Sequence, residues 1–421
     1  MPDFLFATFD GGGHATPALS VARGLIARGH TVRMLADEVL RAEVEAAGVT
    51  WVGWDRAPHD VPKTAASLPP LKEFARVRDA TVCGPAAAYA ADTRAEIERD
   101  RPDCVVADLM LPGVCIAGEG AGVPCVTLAL TPFSVPGWGQ PPAGPGLTPM
   151  GGPLGRLRDA LLHRLNSRLW NAGLAAVNAA RQEQGLEPVR DVWEQIERPD
   201  RLLVLSSRAL QFPGATPPAH VTIAGARIDD PAWAQPWRPP AGEQPLILVA
   251  LSSDQMGQAP VLRRIAEGLR KLDVRVVLTT GPNVRPDEVP APPNVQVVGS
   301  APHAEVLRHA AAVVTHGGHG TVVRTLAADV PMVILHHGRD QADNATRVTT
   351  RGAGLAVKRT ATPAVIAAAV RRLLDDPAFA AGARQLGESI RRDAASGALV
   401  AELEGDVVAE IVSEGALLPS R

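Results

Sequence analysis

Each half of the chain contains an apolar segment that runs directly into a glycine-rich loop and then into a helical pattern. In the first half the segment is residues 4–9 and the loop reads DGGGHATP, at residues 10–17. In the second half residues 312–315 lead into HGGHGT, at residues 316–321. A strand without polar residues is buried on both faces of its sheet, and strand, glycine turn and helix in succession are typical of the βαβ unit. The sequence therefore predicts an α/β fold built on parallel sheets.

The length of the chain and its other apolar segments predict two such domains. A chain of 421 residues is too long for one ordinary domain. Five prolines between residues 227 and 245 interrupt helix and sheet alike and predict a linker. We expect an N-terminal doubly wound domain at residues 1–226, a linker at 227–244, a C-terminal domain at 245–390, and a last helix at 391–421 that crosses back to the first domain. Further strands are predicted at residues 31–36, 104–107, 124–129, 202–205, 221–224, 246–251, 274–279, 295–298 and 332–335.

Composition excludes several classes of protein. Hydrophobic residues make up 46% of the chain and the net charge is −3, which predicts a globular protein without the basic surface that nucleic acid or an anionic membrane requires. No apolar run reaches the roughly 18 residues of a membrane span, and MPD is not the basic start of a signal peptide. The four cysteines show no CxxC spacing and are expected to be small buried residues, so a reducing, cytoplasmic location is expected.

His14, in the first loop, has two interpretations. One is a residue that caps the helix or packs against the loop. The other is a general base, because the helix dipole disfavours a positive charge on an imidazole at that end. A general base needs a carboxylate that orients the ring. Asp108 is the candidate, since it follows the strand at 104–107 and so lies at the same edge of the sheet; its alternative role is a helix cap for the segment from Leu111.

The first loop also begins a dinucleotide-binding fingerprint. Gly11 and Gly13 are in place, but Thr16 stands where the third glycine is required. Asp37, at the end of the next strand, imitates the acid that binds a ribose hydroxyl. A nicotinamide or flavin site is therefore an alternative that the loop does not favour.

The second loop combines glycines, a threonine hydroxyl and a helix start, which is typical of a phosphate-binding site. The GxxxxGK[ST] pattern of a P-loop is absent, and a tight turn with a packed histidine is the alternative. His316 is expected to donate to a phosphate oxygen and to disperse charge on a leaving group. After the next strand, Asp340 and Gln341 offer adjacent acceptors and donors for vicinal hydroxyls. No metal site is expected, because the sequence holds neither HExxH nor DxD, and the neighbours His336 and His337 point apart.

Aromatic residues of the N-terminal half concentrate in residues 51–90 and 131–155. Any one of these rings is more easily explained as core, but as a set they predict a wall for a flat, hydrophobic molecule. Proline and glycine throughout residues 131–153 predict a mobile cover that orders when that molecule binds. The six residues of the set are Trp51, Trp54, Phe74, Tyr89, Phe133 and Trp138.

Together these motifs resemble the GT-B-fold, family 1 glycosyltransferases, especially bacterial enzymes that glycosylate polyketides, macrolides and other natural products. Residues 313–354, VVTHGGHGTVVRTLAADVPMVILHHGRDQADNATRVTTRGAG, are similar to the donor-binding motif of that family. GGGHATPALSVARGLIARGHTV is its typical start and places His14 at the position of the catalytic base. VVADLMLPGVCIAGEGAGVP places Asp108 at the position of the partner of that base. The resemblance implies GT-B architecture, in which two Rossmann-like domains face each other across a cleft.

The resemblance also implies a reaction and its residues. It implies inverting, metal-independent transfer of a sugar from a UDP- or TDP-sugar to a hydroxyl or a carbon of a hydrophobic small-molecule acceptor, with the nucleotide sugar as co-substrate and no cofactor. The protein is expected to be a monomer or a homodimer. The donor-binding residues implied are Gly13, Ser252, Ser253, Ala301, His303, His316, Gly318, His319, Gly320, Thr321, Asp340 and Gln341. The acceptor-binding residues expected are Phe74, Tyr89, Met110, Phe133 and Trp138.

One position departs from the family pattern, and two other functions compete. Arg324 stands where many relatives carry a glutamate that binds the ribose hydroxyls, so we expect it to reach either the diphosphate or a carboxylate in the domain wall, and both UDP and TDP donors stay open. One competing function is a non-hydrolysing UDP-N-acetylglucosamine 2-epimerase, which has the same fold but needs no acceptor cleft. The other is a catalytically silent partner of a transferase, which is expected to lose the base or the donor motif. The loop at 131–155 and the presence of both motifs favour the transferase.

Overall fold

A computed structural model describes residues 1–58, 70–132, 139–230, 234–252 and 256–405. The strands are β1 Asp3–Ala7, β2 Thr31–Ala36, β3 Thr50–Gly53, β4 Cys104–Asp108, β5 Cys125–Ala129, β6 Arg201–Val204, β7 Val221–Ile223, β8 Leu246–Ala250, β9 Arg275–Thr279, β10 Val295–Val298, β11 Ala310–Thr315, β12 Met332–Ile334 and β13 Gly354–Ala356. The helices are α1 Ala15–Ile26, α2 Arg41–Ala46, α3 Pro70–Val77, α4 Ala86–Arg99, α5 Pro112–Ala121, α6 Gly152–Asn171, α7 Leu174–Glu183, α8 Val192–Glu197, α9 Ala259–Leu269, α10 His303–Leu307, α11 His319–Ala327, α12 Gln341–Thr349, α13 Pro363–Asp375 and α14 Pro377–Ala395. Residues 398–405 are helical as well.

These strands form two parallel sheets. The first has the order β3-β2-β1-β4-β5-β6-β7, and the second has the order β10-β9-β8-β11-β12-β13. Each sheet reverses its winding once, between β1 and β4 in the first and between β8 and β11 in the second. In open α/β sheets ligands bind beyond the carboxyl ends of the strands at such a reversal. The predicted α/β fold with two doubly wound parallel sheets is confirmed.

Two strands that the sequence did not indicate close one edge of each sheet. β3 lies outside β2 and β13 lies outside β12. Both are short and less buried than the central strands, because an edge strand is paired on one side only and needs less burial. In β13 the Gly354 backbone passes so close to β12 that a Cβ there would lie 2.2 Å from the Met332 carbonyl oxygen.

Residues 398–405, the last that the structure describes, return to the first sheet. Helix α14 packs its Leu386 and Ile390 into the core of the second sheet. Because α14 runs from Pro377 to Ala395, the predicted boundary at residue 390 lies inside one continuous helix. After Gly397, which has a φ of +69°, Leu399 and Leu403 pack into the core of the first sheet. Glu404 adds contacts to Arg28 and His30, at 2.5 and 2.9 Å. The last described residues thus contact the segment that follows α1 in the first domain.

The described helices include none that is both long enough and apolar enough to cross a membrane.

Candidate active site between the two sheets

A cavity of about 480 Å³ lies between the carboxyl edges of the two sheets. The loops after β1, β2, β5 and β6 line it on one side, and the loops after β8, β9, β10, β11 and β12 line it on the other. The two winding reversals therefore face the same space, as expected for strand-to-helix loops in doubly wound domains.

His14 and Asp108 meet at the first reversal. The Nδ1 atom of His14 lies 2.7 Å from Oδ2 of Asp108, which is buried, and Oδ1 of Asp108 accepts a hydrogen bond from the Met110 amide at 2.9 Å. The His14 side chain is 23% exposed and lines the cavity. A carboxylate only accepts, so Nδ1 carries the hydrogen and Nε2 is the nitrogen that can take a proton.

The first loop is built to hold this imidazole ring. His14 occupies the N-cap position of α1, but its side chain makes no capping hydrogen bond. The ring instead packs against Phe9, with ring centroids 4.5 Å apart, and a Cβ on Gly11 would lie 2.5 Å from His14 Cδ2. Gly11 therefore makes room for the ring beside the loop. The capping interpretation of His14 is wrong, whereas the ring does pack against the loop, as the other half of that alternative expected.

Asp37 has a different role from the one that a dinucleotide site would need. Its carboxylate is buried, and Oδ2 accepts a hydrogen bond from the Asp10 amide at 2.7 Å. The acid therefore holds the start of the glycine loop and does not line the cavity. The nicotinamide or flavin alternative loses its ribose-binding acid.

The second loop presents a helix start to the cavity. Gly318 is the N-cap of α11, and the backbone at Gly317 has a φ of +91°, which favours glycine. A Cβ on Gly318 would lie 2.5 Å from Nε2 of His316, so the glycine lets the imidazole lie against the turn. The first amides of a helix have no partner inside it and carry its positive dipole end, which suits an anion.

Burial favours the neutral form of two cavity histidines of the second domain, His316 and His303. Desolvation lowers the pKa of His316 to about 4, and that of His303 to about 3. Both line the cavity. A neutral imidazole has one N–H to donate, and in His316 a hydrogen bond to the Ala250 carbonyl oxygen acts to raise the pKa against this desolvation, so the ring lines the cavity without a charge of its own.

His319 also contacts the other domain. It lines the cavity, but its Nε2 lies 3.1 Å from the carbonyl oxygen of Leu205, just beyond β6. Burial lowers its pKa to about 4, so the neutral ring donates this hydrogen bond.

Asp340 and Gln341 lie at the start of α12 and line the cavity. Asn344 donates to the Asp340 carboxylate at 2.7 Å, and burial raises the pKa of that carboxyl above its usual range. Gln341 accepts from the His337 amide at 2.7 Å through Oε1. Gly13, Ser252, Ala301, Gly320 and Thr321 line the cavity too, whereas Ser253 lies outside the described residues.

The expected acceptor residues are not brought together. Tyr89 is fully buried and packs on Trp54 in the core, with ring centroids 4.9 Å apart, so its assignment to an acceptor wall is wrong. Phe74 packs on Trp170 at 4.9 Å, and Met110 packs between two core clusters. None of these three lines the cavity, while Phe133 and Trp138 lie outside the described residues. The apolar wall on the first domain instead comes from Phe9, Val39, Leu40, Leu130 and Leu205.

Arg324 takes the second of its two expected roles and reaches a carboxylate in the wall. Its guanidinium donates to the Asp229 carbonyl oxygen at 3.0 Å and lies 3.8 Å from the Asp230 carboxylate. Arg227, Asp229 and Arg339 also line the cavity, and none of them was singled out from the sequence. Arg227 and Asp229 lie in the proline-rich stretch predicted to be a linker, so nothing in the sequence indicated a place at the site. Arg339 directly precedes the predicted donor residue Asp340, and this adjacency could have identified it.

Among the described residues no group of three or more His, Cys, Asp or Glu side chains is arranged to hold a metal ion.

Comparison with known proteins agrees with this architecture. The family described as "Erythromycin biosynthesis protein CIII-like, C-terminal domain" matches residues 263–409. The 4'-demethylrebeccamycin synthase of Lentzea aerocolonigenes is 31% identical over 411 residues, which cover 93% of this chain and 96% of that protein. The oleandomycin glycosyltransferase of Streptomyces antibioticus is 29% identical, over 89% of this chain and 84% of that protein.

A solved structure shows the same arrangement of domains. The glycotransferase of kitacinnamycin superimposes with a TM-score of 0.77 at 26% identity, over 96% of this chain and 99% of that one. The calicheamicin glycosyltransferase CalG4 follows with a TM-score of 0.73 at 24% identity, over 96% of this chain and 98% of that one, which bears on the fold alone. This chain belongs to the natural-product glycosyltransferases of the GT-B fold.

Proposed function

We propose that this glycosyltransferase moves a sugar, with inversion and without a metal ion, from a UDP- or TDP-sugar to a hydroxyl of a hydrophobic small-molecule aglycone. The observation that carries the proposal is the 2.7 Å contact between His14 and Asp108 at a cavity that the start of α11 also lines. A base oriented by a carboxylate and a helix start suited to an anion are the two halves of a displacement reaction.

The proton and the electron pairs move in opposite directions across the cavity. Nε2 of His14 takes the proton of the acceptor hydroxyl, and the Asp108 carboxylate stabilises the resulting imidazolium. The acceptor oxygen forms a bond to the anomeric carbon from the face opposite the leaving group. The bond from that carbon to the diphosphate oxygen breaks, and its electron pair stays on the diphosphate.

The second domain is proposed to hold the donor. The diphosphate lies on the α11 amides, whose positive dipole end disperses the charge of the leaving group. His316 lies beside it and donates its one N–H to a phosphate oxygen in exchange for the Ala250 carbonyl oxygen. Asp340 and Gln341 bind sugar hydroxyls, and Ala301 and His303 line the place of the nucleobase. Arg324 stands where relatives carry the ribose-binding glutamate and contacts Asp229 and Asp230 instead, so the proposal takes both UDP and TDP as donors.

The acceptor is proposed to lie against the apolar wall formed by Phe9, Leu130 and their neighbours on the first domain. Apolar walls with a few polar groups are typical of small-molecule sites. The relatives support this acceptor class. Three of them are named for natural products: 4'-demethylrebeccamycin synthase, oleandomycin glycosyltransferase and O-mycaminosyltylonolide 6-deoxyallosyltransferase. Family membership as a glycosyltransferase decides against the epimerase and the silent partner.

The test is a binding and turnover panel on the whole chain. Calorimetry with UDP and TDP is expected to show binding of at least one of them, and turnover is expected with phenolic or macrolide aglycones and the matched sugar donor. EDTA is expected to leave turnover unchanged. Strict dependence on Mg²⁺ contradicts the metal-free reaction, and turnover confined to free sugars or peptides contradicts the acceptor class.

A further inference from the structure

A short segment after β5 bridges the two domains. Its beginning is held by the first domain, because Gln140 is buried and makes two hydrogen bonds, each of 3.4 Å, to the backbone of Phe212. His163 of α6 also lies 3.0 Å from the Gln140 carbonyl oxygen through Nε2. Four and six residues later the same segment is held by the second domain.

The contact with the second domain is made by one carboxylate. Asp343 of α12 accepts from the Gly144 amide at 2.5 Å through Oδ2 and from the Gly146 amide at 2.8 Å through Oδ1. Thr346, one turn further along α12, donates to the Gly146 carbonyl oxygen at 2.6 Å. Gly146 has a φ of +68°, and a Cβ there would lie 2.8 Å from the Ala342 carbonyl oxygen, so the segment approaches the helix as closely as backbone can.

The carboxylate is buried for this contact. Asp343 is 8% exposed, and desolvation raises the pKa of its carboxyl, although the Gly144 amide, the Arg347 guanidinium and the Gly146 amide act in the opposite direction. Because burying a carboxylate costs desolvation energy, this contact is weak evidence for a gain in stability. It is better evidence that the contact fixes the 140–146 segment in one position on α12.

The helix that receives the segment also borders the cavity. Asp340 and Gln341, at its start, line the cavity, and Asn344 donates to the Gly317 carbonyl oxygen at 2.9 Å. Further along, Arg347 of α12 lies over the Phe212 ring, and Arg351, just beyond the helix, donates to the Gln211 carbonyl oxygen at 2.5 Å. Helix α12 thus contacts the loop at residues 316–321 through its first turn and the first domain through its later residues.

We propose that Asp343 is a positioning residue, which holds the 140–146 segment on α12 and thereby sets the first domain, with His14, against the donor helix. The proposal rests on the proposed donor role of Asp340 and Gln341. Asp343 touches neither substrate. It acts through the segment and through the spacing of the two domains.

The test compares Asp343→Ala with a matched control. Asp393→Ala removes another carboxylate that joins the domains, since Asp393 of α14 accepts from the Ser207 hydroxyl at 2.6 Å and lies away from the cavity. Asp343→Ala is expected to lower kcat/KM for the acceptor at least about tenfold while the Kd of UDP or TDP stays within about twofold. Asp393→Ala is expected to lower Tm and to leave both values within about twofold. Asp343→Asn, which keeps one acceptor oxygen, is expected to fall between Asp343→Ala and the wild type.

Hydrogen exchange measures the contact without any turnover. Peptides that cover residues 139–150 are expected to exchange faster in Asp343→Ala than in the wild type or in Asp393→Ala. If the wild type fails to transfer sugar, the proposed function is contradicted, and this exchange difference still supports the contact. Unchanged exchange, or an acceptor kcat/KM that Asp343→Ala leaves unchanged, overturns the positioning role. A nucleotide Kd that weakens as much as kcat/KM falls also overturns it and makes Asp343 part of the donor site.

Discussion

At the scale of single residues, the proposed chemistry depends on which nitrogen of His14 carries the hydrogen. Asp108 is 2.7 Å from Nδ1 and its second oxygen is occupied by the Met110 amide, so the carboxylate cannot turn away from the ring. This leaves Nε2 as the basic nitrogen. Without these contacts, the imidazole ring and the carboxylate would not be held facing each other.

His14→Ala is expected to lower kcat at least about 100-fold and to leave the Kd of UDP or TDP unchanged, because it removes a general base and no donor contact. Steady-state kinetics and calorimetry on the same preparation check both values. His30→Ala is the matched control, since His30 lies 2.9 Å from Glu404 and does not line the cavity. Full activity of His14→Ala with a hydroxyl acceptor rules out the base. Asp108→Asn is expected to cost less and to change the pH profile, because it removes the charge that stabilises the imidazolium.

At the scale of elements, the loop before α11 must combine a sharp turn, a histidine ring and open amides in very little space. Gly317 supplies the turn through its positive φ, and Gly318 leaves room for the His316 ring. A donor diphosphate would then meet the ring and the helix start together. Glycines at a strand-to-helix turn therefore have a steric reason that does not depend on any ligand.

Gly318→Ala is expected to weaken UDP or TDP binding about tenfold, because a Cβ at that position would lie 2.5 Å from His316 Nε2 and the ring must move. Calorimetry measures the change. Gly151→Ala is the control: Gly151 is also an N-cap glycine with a negative φ, −66°, and a Cβ there would meet nothing within 4 Å. Equal nucleotide affinity in the wild type and Gly318→Ala would mean that His316 does not contact the nucleotide.

At the scale of the whole molecule, the fold buries several imidazoles in their neutral form, although the same rings exposed to mildly acidic water would be protonated. Burial lowers the pKa of His303 and His337 to about 3 and that of His316 and His319 to about 4. Unfolding returns each ring to about 6.5. The unfolded chain therefore binds more protons than the folded chain between these values.

The free energy of unfolding is accordingly expected to be highest above about pH 6.5 and to fall as the pH drops toward 4, by at most about 1.4 kcal/mol per pH unit for each buried histidine. The raised pKa values of Asp340 and Asp343 act in the opposite direction, so a variant isolates one ring. His319→Gln is expected to reduce the slope by up to about one proton, because the amide can still donate to Leu205 but does not titrate. Urea titrations between pH 7.5 and 4 measure the slope. An identical slope in the variant would show that His319 is not buried as a neutral ring.

The sequence by itself determined the parts that depend on neighbouring residues. Continuous apolar runs predicted most of the buried strands, and the glycine loops after β1 and β11 indicated turns that approach a ligand. Both signals are local, because a strand buried on both faces needs apolar side chains at every position and a sharp turn needs glycine. The resemblance over residues 313–354 added the family, which the comparisons confirm.

Only the tertiary structure decided which residues share a space. The sequence placed His14 and Asp108 at one sheet edge, but strand order, which no local pattern encodes, sets β1 beside β4 and so brings these residues, 94 apart, into contact. The same packing buries Tyr89 in the core, pairs Arg324 with the Asp230 carboxylate, and places the 140–146 segment on α12. A side chain's burial and partner depend on which elements pack across it, and that is settled by the whole chain closing on itself rather than by its neighbours in sequence.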